Sequence, residues 1–148
     1  GADQDFARLK ILVVDESRFY RTVIMNALAP FRLTNVLEAK NESDALEIMR
    51  TNDIGMILID YGMPDKNGAD IVRLIRWSKD EKINSQVPIV MISDFTEKAI
   101  VMEARDAGVD ALVGKPIVPS ELYKKIRSIL MGGREFVVTD DYRGPERC

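Results

Sequence analysis

The sequence predicts an α/β protein: an open, parallel five-stranded sheet in the order 2-1-3-4-5, with five helices shared between its two faces. Short apolar runs, continuous rather than alternating, read as strands buried on both sides. Segments with helical spacing of apolar residues separate them, so strand and helix alternate along the chain. The runs also end on polar residues, Asp15-Glu16, Asp60, Ser93 and Lys115, which a parallel sheet would gather at its carboxyl edge.

The first strand is Lys10-Ile11-Leu12-Val13-Val14. Ser17 is suited to cap a helix over roughly residues 17–29, with Val23, Ile24, Ala27 and Leu28 inward and Pro30 closing it. Val36–Ala39 is a short second strand, and Asn41 or Ser43 opens a helix to about Asn52. The run Met56-Ile57-Leu58-Ile59 then ends abruptly on Asp60 and the turn residues Gly62, Pro64, Asp65, Asn67 and Gly68. A third helix is expected from Ala69 to about Lys79, followed by a polar loop over residues 80–86. Pro88–Ile92 is the fourth strand. Thr96 is expected to cap a helix to Ala107, stopped by Gly108. Ala111–Val113 is the fifth strand, and Ser120 is expected to cap the last helix, to about Met131.

Bulk properties narrow the function. One domain of 148 residues can bury a sizeable core. A net charge of −3 argues against a DNA-binding surface, and no apolar run is long enough for membrane insertion. A single cysteine, Cys148, fits a reducing cytoplasm, so a cytoplasmic protein is expected. Residues 1–8 are read as a leader, an expression scar or a processed end, residues 9–131 as the domain, and 132–148 as an extension. With no histidine anywhere, chemistry falls to carboxylates, hydroxyls, lysine and arginine.

Carboxylates crowded at one edge repel each other, and a hard divalent cation relieves that repulsion; oxygen ligands with water suit Mg²⁺. Asp15, Glu16 and Asp60 are the candidate ligands, with the backbone carbonyl of Gly62 completing the set. Asp60 is also the candidate nucleophile, able to accept a phosphoryl group as an aspartyl phosphate. Lys115 would neutralise charge on the transferring oxygens, and Ser93 would donate a hydroxyl hydrogen bond to one of them.

The segments VVDESRFYR (13–21), LIDYGMPDKNG (58–68), PIVMISD (88–94) and GKP (114–116) together resemble the receiver domain of two-component response regulators. The resemblance covers residues 9–131, and VDESRFYR is most similar to single-domain, chemotaxis-type receivers. It implies a flavodoxin-like fold and Mg²⁺-dependent phosphorylation of Asp60 by a histidine kinase. Asp15 and Glu16 would be the acidic pair, Ser93 the switch hydroxyl, Lys115 the phosphate-binding lysine, and Pro116 the site of a cis peptide bond. The output would be changed binding of a protein target on the helix 4–strand 5–helix 5 face. A stand-alone switch is expected, not an enzyme, with only slow hydrolysis of its own aspartyl phosphate. An aspartyl-phosphate hydrolase of similar architecture would need a second aspartate where Gly62 stands. Two positions depart from the family pattern: Leu112 replaces an aromatic residue, and Asp94 replaces a small one.

The extension REFVVTDDYRGPERC is not required by the family core. Its Arg134–Val138 piece is read as an added strand or a cover for the sheet edge, and the alternative is a solvated tail. Arg143 and Arg147, four apart beside Tyr142, resemble the arginine element of cyclic di-GMP receptors such as PilZ domains. Arg134 and Trp77, with Arg73 and Arg76, are assigned to the same candidate ligand or partner surface. Cyclic di-GMP is therefore an alternative effector.

Overall fold

The computed structural model describes residues 6–147; Cys148 and most of the expected leader lie outside them. Five parallel strands form one sheet in the order β2-β1-β3-β4-β5: β1 Ile11–Val14, β2 Val36–Ala39, β3 Met56–Asp60, β4 Ile89–Ser93 and β5 Ala111–Gly114. The expected order and parallel direction are both present. The helices are α1 Arg18–Leu28, α2 Glu42–Thr51, α3 Gly68–Arg76, α4 Lys98–Ala107 and α5 Pro119–Gly132.

Alternate residues of each central strand face opposite layers, as the two-residue repeat of a strand dictates. Ile11, Val13, Met56, Leu58, Val90 and Ile92 pack with Ile24 and Leu28 of α1 and Leu122 and Ile126 of α5. Leu12, Val14, Ile57, Ile59 and Met91 pack with Met49 of α2, Val72 and Ile75 of α3 and Ala104 of α4. This two-sided burial is why β1, β3 and β4 are almost uninterrupted in apolar residues.

Caps fix several helix starts. The Ser17 hydroxyl accepts the Tyr20 amide, the Asn41 side chain accepts the Asp44 amide, and Asn67 with Asp70 forms a reciprocal capping box on α3. Two expected caps are corrected. Glu97, not Thr96, is the N-cap of α4, and it caps without a side-chain bond. Thr96 instead turns its methyl group toward Gly114, 3.2 Å from where a Cβ there would stand. Ser120 lies inside α5, because Pro119 starts that helix two residues earlier than expected, with Val118 as its N-cap. Helix α3 also stops at Arg76, short of Lys79.

The extension neither joins the main sheet nor trails into solvent. Phe136–Val138 (β6) and Arg143–Pro145 (β7) pair antiparallel as a separate hairpin. Tyr142, at its turn, is buried and donates its hydroxyl to the Pro145 carbonyl at 2.5 Å. The hairpin seats on the C-terminal end of α4, where Gly108 adopts a left-handed φ of 108°. A Cβ on Gly144 would come within 2.7 Å of the Gly108 Cα, so two glycines allow the backbones to touch. Among the described residues, no helix is long and apolar enough to cross a membrane.

Candidate functional site

Strand register assembles the site. β1 and β3 pair Val14 with Ile59, so the next residues, Asp15 and Asp60, leave the sheet side by side. β3, β4 and β5 then bring the Asp60, Ser93 and Gly114 ends to the same edge. The peptide bond after Lys115 is cis, at Pro116, as the resemblance implied. The loop leaving β3 folds back so tightly that the Gly68 amide donates to the Tyr61 carbonyl at 2.8 Å. A Cβ on Gly68 would run into the Asp60 backbone and come within 2.9 Å of the Tyr61 Cα.

The Lys115 ammonium lies 3.1 Å from Asp60 Oδ1, 4.0 Å from Asp15 Oδ2 and 3.8 Å from Asp94 Oδ2. It also sits 3.9 Å above the centre of the Tyr20 ring. Burial works against its charge, but the hydrogen bond to Asp60 and the fields of Asp60, Asp15 and Asp94 outweigh it and raise its pKa. Asp15 is pushed up, chiefly by burial, with the nearby Asp60 charge adding to the effect; the Ser17 amide and Lys115 oppose it. Asp15 Oδ1 accepts the Ser17 amide at 2.8 Å, while Oδ2 is buried with no hydrogen-bond partner.

An orphaned carboxylate oxygen beside a second carboxylate fits a hard cation. Asp15 and Asp60 would hold Mg²⁺, which binds through one or two carboxylates and keeps several waters. Gly62 is placed beside them: a Cβ there would lie 3.6 Å from Asp60 Oδ2. Glu16 is different. Its side chain is exposed, and among the described residues no three acids gather into a metal-binding group.

Ser93 is buried, but its hydroxyl donates to the Phe95 carbonyl at 2.7 Å and accepts the Phe95 amide at 3.0 Å. In this arrangement it organises the β4–α4 turn. Asp94 is largely solvent-exposed, with Lys115 as its cationic neighbour. Leu112 packs, half-buried, against the core.

Sequence reasoning passed over three groups. Arg21 donates to the carbonyls of Asp15 at 2.6 Å and Glu16 at 3.2 Å, and pairs with Glu38 at 2.9 Å. It therefore fixes the acidic loop. Its signal was its place one turn beyond the Ser17 cap. Tyr61 donates to Glu103 Oε1 of α4 at 2.5 Å, and Asn67 donates to Glu103 Oε2 at 3.3 Å. That bond to Glu103 is the main reason the Tyr61 phenol is held above its ordinary pKa. Asn67, three residues before Asp70, carried a capping signal, but nothing local pointed to Glu103.

The third is Arg76, assigned to a surface with Trp77 but fully buried. It donates to the carbonyls of Gly108 (2.9 Å), Ser85 (2.8 Å) and Val87 (2.7 Å) and to Asp110 (3.1 Å). It is four residues past Val72, hence on the inward face of α3, which was the available signal. Its guanidinium also lies 5.3 Å from the centre of the Phe136 ring.

The other extension residues are engaged within the chain. Arg143 stacks 4.6 Å over Trp77, and Arg147 stacks 3.8 Å over Tyr142 while pairing with Asp106 at 2.7 Å. Arg134 donates to the Glu146 carbonyl at 3.3 Å, and Arg73 pairs with Asp70 at 3.2 Å. With Arg76 over Phe136, the extension thus takes part in three arginine–aromatic contacts, while Arg134 bonds a backbone carbonyl instead.

The family model for the response regulator receiver domain matches residues 11–127. The chain belongs to that family. The receiver is 36% identical over 123 residues to the chemotaxis protein CheY1 of Helicobacter pylori, covering 82% of this chain and 97% of that protein. It is 34% identical over 126 residues to a chemotaxis protein CheY homolog of Campylobacter jejuni, covering 84% and 95%. A solved response regulator from Thermotoga maritima superposes with a TM-score of 0.72 at 25% identity, covering 84% of this chain and 98% of that one. Receiver domains bind Mg²⁺ at their phosphorylation site, in keeping with the orphaned Asp15 oxygen.

Proposed function

We propose that this receiver accepts a phosphoryl group on Asp60 from a histidine kinase of a two-component system and thereby changes the binding of a protein target. The observation that carries this reading is the Lys115 ammonium 3.1 Å from Asp60 Oδ1, beside the unpartnered Oδ2 of Asp15. An Asp60 carboxylate oxygen attacks the phosphorus of a phosphohistidine; the new P–O bond forms as the P–N bond breaks, and the imidazole leaves with the N–P electron pair. Lys115 sits where it neutralises charge on the transferring oxygens. Asp15 and Asp60 would hold Mg²⁺, which would supply the remaining charge compensation. Ser93 reaches a phosphoryl oxygen only by giving up its bond to the Phe95 carbonyl, so phosphorylation competes with the present β4–α4 turn.

The target face is α4–β5–α5, and the relatives' names support a chemotaxis or motility setting. The role is that of a switch, with slow loss of phosphate to water. The test is phosphate transfer from a phosphorylated kinase or a small acyl phosphate. Wild type is expected to gain one acid-stable, base-labile phosphate, and Asp60→Asn none. Undiminished labelling of Asp60→Asn would sink the reading.

Binding of cyclic di-GMP to the extension is a second reading, supported by the Arg143–Trp77 stack on a partly exposed indole. Any such ligand competes with contacts the arginines already make, so it should perturb Trp77 fluorescence. Calorimetry against an Arg143→Ala/Arg147→Ala variant decides it: no heat in wild type removes the reading.

A further inference from the structure

The backbone of Lys115 is fixed, but its side chain is not. The Lys115 amide donates to the Ser93 carbonyl at 2.9 Å, and the cis peptide bond to Pro116 follows at once. Beyond the Cα, a flexible four-carbon stem carries the ammonium in among three carboxylates. Asp60 Oδ1 is 3.1 Å away, whereas Asp94 Oδ2 at 3.8 Å and Asp15 Oδ2 at 4.0 Å lie beyond hydrogen-bond length. One close anionic contact therefore places the ammonium, and it is the contact that phosphorylation disturbs. As the phosphoryl group arrives, Lys115 has to pass from Asp60 Oδ1 to a phosphoryl oxygen, with the exposed Asp94 carboxylate competing for it.

The ammonium has a further neighbour, the Tyr20 ring, whose centre lies 3.9 Å away, well within cation–π range. Tyr20 stands in the first turn of α1, where the Ser17 hydroxyl accepts its amide at 3.1 Å. Its ring packs, partly buried, against the apolar layer formed by the sheet, α1 and α5. Its hydroxyl is buried with no hydrogen-bond partner, so the face of the ring, not the oxygen, makes the contact with Lys115. Arg21, the next residue, holds the Asp15 and Glu16 carbonyls. Two adjacent residues of one helical turn thus grip the acidic loop after β1 and the lysine after β5. Tyr20 does not stand in for the aromatic ring that Leu112 lacks, because Leu112 packs into the opposite layer of the sheet.

We infer that Tyr20 is a positioning residue for phosphoryl transfer to Asp60: its ring face holds the Lys115 ammonium while the lysine exchanges Asp60 Oδ1 for an oxygen of the incoming phosphoryl group. A neutral ring suits that task. A carboxylate in its place would repel the incoming anion, whereas a π face attracts the cation and carries no net charge. The inference rests on the receiver reading, since it concerns the same acceptor site.

The test is the initial rate of phosphate incorporation into the full chain from acetyl phosphate with Mg²⁺. The P–O bond to Asp60 forms as the donor's P–O bond breaks, and acetate leaves with the electron pair. Tyr20→Phe keeps the ring and drops the unpartnered hydroxyl, so its rate should stay within about twofold of wild type. Tyr20→Leu should be slower by between about three- and thirtyfold. Phenylalanines with increasing ring fluorination at position 20 keep the shape and weaken the π face, so the rate should fall along the series. In a Lys115→Gln background, over long incubations, Tyr20→Leu should change the rate by less than about twofold. Tyr20→Leu as fast as wild type, a rate indifferent to fluorination, or a full Tyr20→Leu penalty without Lys115 overturns the inference. If Tyr20→Leu fails to fold in urea melts, the fluorinated series decides alone. Normal labelling of wild type with a flat series defeats the inference and leaves the receiver reading standing. No labelling of wild type defeats the receiver reading and the inference with it.

Discussion

Replacing Arg76 with methionine keeps most of the side chain's volume and removes its charge and every hydrogen bond. Arg76 is fully buried, and Asp110, its partner at 3.1 Å, is 15% exposed at the side chain. Removing one member of a buried pair leaves the other charge uncompensated, which costs about 3–5 kcal/mol. The carbonyls of Gly108, Ser85 and Val87 also lose donors, at about 1–3 kcal/mol each where water cannot replace them. Methionine packing and the retained Ile89 amide bond on Asp110 offset part of this, so the expected net loss is about 4 kcal/mol. For a chain of this size, that lowers the melting temperature by about 12 °C.

The pH dependence of the Arg76→Met deficit identifies its cause. Burial raises the Asp110 pKa, and Arg76 is among the groups that oppose the rise. A carboxyl whose folded pKa lies above its unfolded one stabilises the fold fully below the unfolded value, and that contribution is lost as pH rises through the folded value. Without Arg76 the folded value climbs further, so the variant's deficit relative to wild type shrinks as pH falls from neutral. Urea unfolding of wild type, Arg76→Met and Arg76→Met/Asp110→Asn across this range is the assay. Asparagine keeps an acceptor for Ile89 and removes the stranded charge, so the double variant should recover about half the loss or more. A single-variant loss under about 1 kcal/mol, or a double variant no better than the single, would refute the reasoning.

Other expectations follow from the same structure. Gly68→Ala should destabilise by about 1–3 kcal/mol in urea melts, despite alanine's better helix propensity, because its Cβ would meet the Asp60 backbone. Mg²⁺ affinity by calorimetry should fall as the solution is acidified through the raised Asp15 titration, with proton uptake by the buffer on binding. Arg147→Ala should cost less than about 1 kcal/mol, since its pair with Asp106 is well exposed. Tyr61→Phe should cost about 1–2 kcal/mol in thermal melts through the lost bond to Glu103.

The sheet was legible because β1, β3 and β4 are buried on both faces, and that double burial writes itself into the sequence as unbroken apolar runs. Asp60 was legible for a related reason, since a charge that ends such a run has no packing role there, and Lys115 because Gly114 and Pro116 frame it after β5. Contacts between distant segments left little local trace. Glu103 is 42 residues from Tyr61, and nothing around it distinguishes it from a solvated helix-face acid. Arg76 was misplaced because arginine's usual preference for solvent was given more weight than the helical spacing from Val72. Thr96 and Ser120 were good capping residues by type, but Pro119 and the turn built on Ser93 set those helix starts. The extension's arginines drew attention as a ligand motif, whereas the structure engages Arg143 and Arg147 with aromatic rings of the chain itself.

The Tyr61–Glu103–Asn67 cluster has a mechanical consequence. One carboxylate joins the residue after Asp60, the cap of α3 and the middle of α4. Sliding α4 along its axis by a single residue, about 1.5 Å, would shift Glu103 against both of its donors, Tyr61 and Asn67, at once. Helix α4 is therefore tied at its middle to the segment that follows Asp60, while at its C-terminal end Arg147 pairs with Asp106 and the hairpin rests on Gly108. Held at its middle and at its C-terminal end, the helix keeps its greatest freedom at its N-terminal turn, next to the β4–α4 loop built on Ser93.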